Sequence, residues 1–133
     1  MSDKRTKTEW VKGKRLEEEG FQTKPSAVRL HGRNETLKHL LVKAAIAREI
    51  QRQGRGWDTE VKGPDGRVDV LDLGPPDGKP VVYEVETGVT PKQHRAKVAQ
   101  YNTDVVRDVL VVDPEDAPDE IPALEEWVGE QVL

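Results

Sequence analysis

The tightest constraint on the fold is a change of apolar period near the middle of the chain. From Glu35 to Gln53 the pattern predicts one helix. Leu37, Leu40, Leu41 and Ala44 recur at i, i+3, i+4 and i+7, and Val42, Ala45, Ile46 and Ala47 widen the apolar surface. Asn34 suits the N-cap, Glu35 the first turn, and Gly54 and Gly56 the end. After Gly56 the period shortens to two. Residues 57–62, 67–73 and 80–87 read as three strands, divided by the turn signals Pro64-Asp65-Gly66 and Gly74-Pro75-Pro76-Asp77-Gly78. Short turns join neighbouring strands, so the three predict an antiparallel meander. Within the second, Val68, Val70 and Asp72 share one face and Asp69, Leu71 and Leu73 the other.

The flanking segments complete the architecture. Pro91 opens a second helix that runs to about Asn102. The apolar run Val109 to Val112 predicts a fully buried strand. Residues 119–133 predict a closing amphipathic helix through Ile121, Leu124, Trp127 and Val128. Upstream, residues 9–19 predict a short helix weakened by Gly13, and 20–33 a loop with some extended chain. Helix, three strands, helix, strand, helix is the order of an α/β sandwich with a mixed sheet of about four strands. Residues 1–33 then form a basic N-terminal extension and 34–133 the folded domain.

Composition narrows the function classes. The chain has 133 residues and no cysteine, which excludes a disulfide scaffold, a thiolate zinc site and a cysteine nucleophile. It holds no apolar run of the ~20 residues a membrane helix needs. Its first residues lack the apolar core of a secretory signal, so a cytoplasmic location is expected. The net charge of −4 hides a division. Residues 1–55 carry 14 Lys/Arg against 7 Asp/Glu, and residues 56–133 carry 7 against 18. A basic half can meet a polyanion, although charge segregation also occurs on ordinary solvated surfaces. Lys12, Lys14, Arg15, Lys24, Arg29 and Arg33 form either a phosphate-binding arm or a solubilising extension. Trp10, Trp57 and Trp127 are packing anchors or stacking platforms.

The acids of the strands are the chemical signal. Asp69 interrupts the second strand, and Glu84 and Glu86 lie two apart on the third, hence on one face. A carboxylate inside a strand costs several kcal/mol (roughly 2–7 for a polar group) if buried without a partner. Asp69 and Glu84 are nearly symmetric about the turn at 76–77, so a hairpin sets them opposite each other, about 5 Å apart at Cβ. A divalent cation would offset two such acids. A water-facing sheet edge, with Lys62, Arg67 or Lys79 as ion partners, would do so too.

Asp69 followed by Glu84 and Glu86, placed between an amphipathic helix and a second helix and strand, resembles the PD-(D/E)xK nuclease superfamily. That family has an αβββαβ restriction-endonuclease-like core. Residues 66–88 are similar to its metal-binding hairpin, and Gln100-Tyr101 to a Gln/Tyr signature on the next helix. His39 and Lys43, then Arg67-Val68-Asp69-Val70, then Glu84-Val85-Glu86 look most like the competence-protein CoiA-like and related archaeal or viral members. The resemblance covers about residues 34–113. It implies Mg²⁺- or Mn²⁺-dependent hydrolysis of DNA, in recombination or repair and on branched substrates, by an enzyme that often works as a homodimer. Asp69 and Glu84 would bind the metal, with Glu35 or Glu49 as the helix acid. Glu86 stands where most members have lysine; it would serve as base or ligand, or Lys97 would take the lysine's role. Gln100 and Tyr101 would position phosphate or water, and His39, Lys43 and Arg33 would contact nucleic acid. The substitution at Glu86 also fits an inactive descendant that binds nucleic acid or supports an assembly. An unrelated α/β interaction domain with surface acids is the third reading.

Overall fold

The computed structural model describes residues 7–22, 36–63, 66–75, 78–101 and 105–133. Four helices, α1 (Lys7–Glu18), α2 (Leu37–Arg52), α3 (Pro91–Gln100) and α4 (Ile121–Gln131), accompany four strands, β1 (Trp57–Gly63), β2 (Gly66–Asp72), β3 (Val81–Val85) and β4 (Asp108–Val112). The sheet order is β1-β2-β3-β4, with β1–β2 and β2–β3 antiparallel and β3–β4 parallel. The expected meander and mixed four-stranded sheet are therefore present. Among the described residues no helix is long and apolar enough to cross a membrane.

Alternation along the strands divides the core in two. Val70, Val81, Tyr83 and Val85 meet Val42, Ile46 and Ile50 of α2 and Leu124 and Val128 of α4. On the other side Leu71, Leu73, Val82 and Val109 meet Leu16, Phe21 and Tyr101. The stretch read as an extension thus contributes to packing. Leu16 and Phe21 are fully covered, and Gln22 bridges to Lys62 of β1. Trp57 and Trp127 are half-buried against the first core, as packing anchors are. The side chain of Trp10 and residues Lys24, Arg29, Arg33, Asn34 and Glu35 lie outside the described residues.

Local chemistry places the element ends. Thr36, not Asn34, caps α2: its hydroxyl accepts from the His39 N–H at 3.1 Å. The buried stripe of α2 is also rotated from the predicted one. Leu37 is 71% exposed, Leu40, Leu41 and Ala44 are half-buried, and Val42, Lys43, Ile46, Ala47 and Ile50 are covered. The neighbouring helix accounts for this, because α4 lies against α2 on the same side of the sheet and draws the 42–46–50 face inward. Among the described residues β4 is an edge strand, not a fully buried one; Leu110 and Val111 are half-buried, and β3 is the strand it pairs with. Ile121, at the start of α4, is 52% exposed, so the inner face of that helix is Leu124 and Val128 alone with Trp127 beside it. Gly74 closes the β2–β3 turn at φ +73, where a Cβ would stand 2.6 Å from the Lys79 carbonyl oxygen.

Two clasps tie the ends of the sheet. Asp72, 1% exposed, accepts from Arg55 at 2.9 Å and from the Gly74 N–H at 2.7 Å. Arg55 also donates to the Leu133 carbonyl at 2.7 Å, and the Leu133 N–H donates to the Tyr83 hydroxyl at 3.0 Å. Thr90 and Gln93 form a reciprocal capping box at the start of α3, with Pro91 in its first turn. No residue of α3 is buried, so the cap carries an unusual share of its order. Thr90→Ala is expected to cost about 1 kcal/mol of local stability. Amide exchange across residues 91–100 should quicken about fivefold while the global melting temperature changes little.

Candidate metal and phosphate site

The site grows from a kink in the sheet. β1 and β2 pair through Thr59↔Val70 and Val61↔Val68, leaving Glu60 and Asp69 in step between them. Glu60 has φ +48, a conformation that costs an L residue energy. Around it the alternation slips. Val68 packs with the α1-side core and Val70, two residues on, with the α2-side core. An unbroken strand would put both on one face. β2 and β3 part at the same place. Their ladder runs Asp72↔Val81, Leu71↔Val82, Val70↔Tyr83, and the next step is Asp69 and Glu84. There the ladder is replaced by a side chain, as Asp69 Oδ2 accepts from the Val85 N–H at 2.8 Å.

Asp69 and Glu84 are thus opposed, as expected, and both are buried. They are hydrogen-bonded to each other, and the Tyr101 hydroxyl donates to Glu84. Burial first, and then the Asp69 charge, push the Glu84 carboxyl up to about 8. Burial also raises Asp69, against the Val85 N–H that lowers it. Near neutral pH the two acids therefore share a proton, carried on Glu84.

This has a consequence for stability. A folded-state value above the ordinary one means that stability is complete below about pH 4.5 and is lost as pH rises through about 8. At roughly 1.4 kcal/mol per pK unit, a few kcal/mol is at stake. In EDTA, urea unfolding should show the protein weakening between pH 5 and 8.5. Glu84→Gln, which keeps the shape and removes the charge, should flatten that slope.

The remaining site residues divide into those the fold gathers here and those it does not. Lys97 of α3 pairs with Glu86 at 2.8 Å, and its charge also faces Glu84 and Asp69. Burial works to lower its pKa, but the Glu86 hydrogen bond and the charges of Glu84, Glu86 and Asp69 outweigh this, so the net shift is upward. Glu86 is exposed and lies one residue past β3, which is shorter than expected; its N–H bonds the Val112 carbonyl at 3.0 Å. Gln100 is half-buried, with its side-chain amide beside Gly66. His39 Nε2 lies 3.9 Å from Asp69 Oδ1. Lys43 does not reach a surface polyanion. Its side chain is fully buried and pairs with Glu60 at 3.0 Å, equally buried. Glu49 is engaged elsewhere, with Arg52 at 3.4 Å and Gln53 at 3.3 Å and beside Gly129 of α4. It stands ten residues, about 15 Å, along α2 from His39. The acid that α2 holds near the carboxylate pair is Glu60, which reasoning from the sequence passed over. Its signal was Lys43 itself, a cation inside a stripe of Val42, Ile46 and Ala47 that required a buried acid in reach.

Lys12 of the basic arm donates to the carbonyls of Leu73 and Pro75, whereas Lys14 and Arg15 are exposed. Among the described residues no group of three or more His, Cys, Asp or Glu is arranged to hold a metal ion. The carboxylates the described residues bring together here are those of Asp69 and Glu84. That pair suits an ion such as Mg²⁺, which commonly takes one or two carboxylates and fills its shell with water and phosphate. No family model, curated protein or solved structure matches the chain.

Proposed function

We propose that the chain is a metal-dependent nuclease of the PD-(D/E)xK kind that hydrolyses phosphodiester bonds of DNA. The observation that carries this reading is the pair Asp69 and Glu84, two buried carboxylates pressed together where β2 and β3 part, with Lys97 and Tyr101 against them. A structural role alone gives no reason to bury two acids that must share a proton. Mg²⁺ or Mn²⁺ held by Asp69 and Glu84 in place of that proton would supply positive charge against the phosphate and acidify water. Lys97, kept cationic by its acidic neighbours, counters charge that builds on the phosphate oxygens. It is a poor proton acceptor for the same reason. Glu86, exposed beside Lys97, would take the proton of the attacking water as its oxygen bonds to phosphorus and the ester P–O bond breaks, with solvent protonating the departing oxygen. Tyr101 holds Glu84 by its hydroxyl. His39 Nε2 lies beside the pair, 3.9 Å from Asp69 Oδ1.

The test is incubation of the purified chain with plasmid, single-stranded and four-way-junction DNA, each with Mg²⁺, Mn²⁺ or EDTA. Cleavage that needs the metal supports the reading, and the preferred DNA names the substrate. Two site features favour a second reading, a catalytically inactive nucleic-acid-binding descendant: among the described residues no third carboxylate joins Asp69 and Glu84 to form a metal-holding group, and Lys97 is tied to Glu86. Binding without cleavage under every condition would establish it.

A further inference from the structure

Lys62 and Arg67 face each other directly across the β1–β2 hairpin. Both are exposed, and among the described residues neither makes an ion pair. Like charges set directly opposite on a sheet repel and weaken the pairing. Among the described residues nothing offsets that repulsion, and a bound anion would. Its position is informative. Lys62 is two residues from Glu60 and Arg67 two residues from Asp69, on the same strands. Two strand residues span about 7 Å. That is of the order of the step between neighbouring phosphates in one nucleic-acid strand. Gly66, adjacent to Arg67, is exposed and has no side chain to crowd an incoming oxygen.

We propose that Lys62 and Arg67 form a cross-strand clamp for a backbone phosphate adjacent to the scissile one. The proposal rests on the nuclease reading and deepens it by fixing where the substrate strand runs: past the closed end of the β1–β2 hairpin and onto the carboxylate pair. The guanidinium of Arg67 can take two phosphate oxygens side by side, and the Lys62 ammonium acts as a point charge. Such contacts hold the strand in position without reading its sequence.

The test is the salt dependence of binding, by fluorescence anisotropy with labelled duplex and single-stranded DNA in EDTA, where no cleavage occurs. For Lys62→Gln/Arg67→Gln, the slope of log K against log salt should become shallower by about 0.9 for duplex, or about 0.7 for a single strand, the loss of one phosphate contact. The melting temperature should hold or rise, because repulsion has been removed. With metal, KM should rise more than kcat falls. Lys62→Arg/Arg67→Lys should restore most of the slope. An unchanged slope would overturn the clamp, as would weaker binding accompanied by a lowered melting temperature. Asp69→Asn separates the two proposals: it should abolish cleavage and leave the slope intact. Cleavage by the wild type with an unchanged slope in the double variant would sink the clamp alone. No DNA binding by the wild type would sink both.

Discussion

Asp69→Asn and Glu84→Gln are each expected to lower metal-dependent DNA cleavage by about a thousandfold or more. A cation stabilises the transition state by several kcal/mol, and every ~1.4 kcal/mol is a factor of ten in rate. On the proposed reading Asp69 and Glu84 hold that cation, and removing either carboxylate would take away most of the hold. The variants should remain folded. Both are close in shape to the residues they replace, and Glu84→Gln leaves Asp69 beside a neutral partner, as the protonated Glu84 does near neutral pH. Single-turnover cleavage rates at saturating Mn²⁺, beside circular dichroism of the same samples, check this. Cleavage retained within tenfold in both variants would remove the pair from the chemistry. Thermal melting adds a second readout. A cation at a hundred times its Kd should stabilise the wild type by about 2.7 kcal/mol, and the variants by far less.

Lys43→Met is expected to cost about 3–5 kcal/mol of stability. Lys43 and Glu60 are fully buried 3.0 Å apart. Removing the lysine leaves a buried carboxylate uncompensated, and the penalty is that of the stranded charge, not the net worth of the pair. The double variant Lys43→Met/Glu60→Gln should therefore regain much of what the single one loses. Urea unfolding of the wild type, the two single variants and the double variant closes the cycle. Additive losses would mean that the two residues do not depend on each other. The pair also has a geometric task. Glu60 sits at φ +48, and its bond to α2 helps hold that conformation. Through it the helix stabilises the kink that brings Asp69 out of regular alternation.

Much of the fold was legible because it rests on local signals. The short turns at 64–66 and 74–78 required an antiparallel meander, and Thr90-Pro91 opens α3 with the chemistry such starts use. The opposition of Asp69 and Glu84 followed from symmetry about a turn. The rotated face of α2 was less legible. Leu37, Leu40, Leu41 and Ala44 and the rival set Val42, Ile46 and Ile50 both have helical spacing, and only the position of α4 selects between them. The edge status of β4 was hidden for a related reason. An apolar run has the same appearance whether one or two strands flank it.

The sequence by itself determined the order of the elements, the antiparallel hairpins and the residues on which two acids meet, because periodicity and turn chemistry act over a few neighbouring residues. Only the tertiary structure decided which helix face is inward, that Lys43 is an interior cation and not a surface one, and that Glu60, not Glu49, is the acid α2 engages. Those outcomes depend on contacts between residues far apart in the chain, where burial energy and charge pairing outweigh local preference. The slipped alternation at Glu60 and Asp69 is of that kind: a strained backbone conformation that persists because the packed elements around it hold it there.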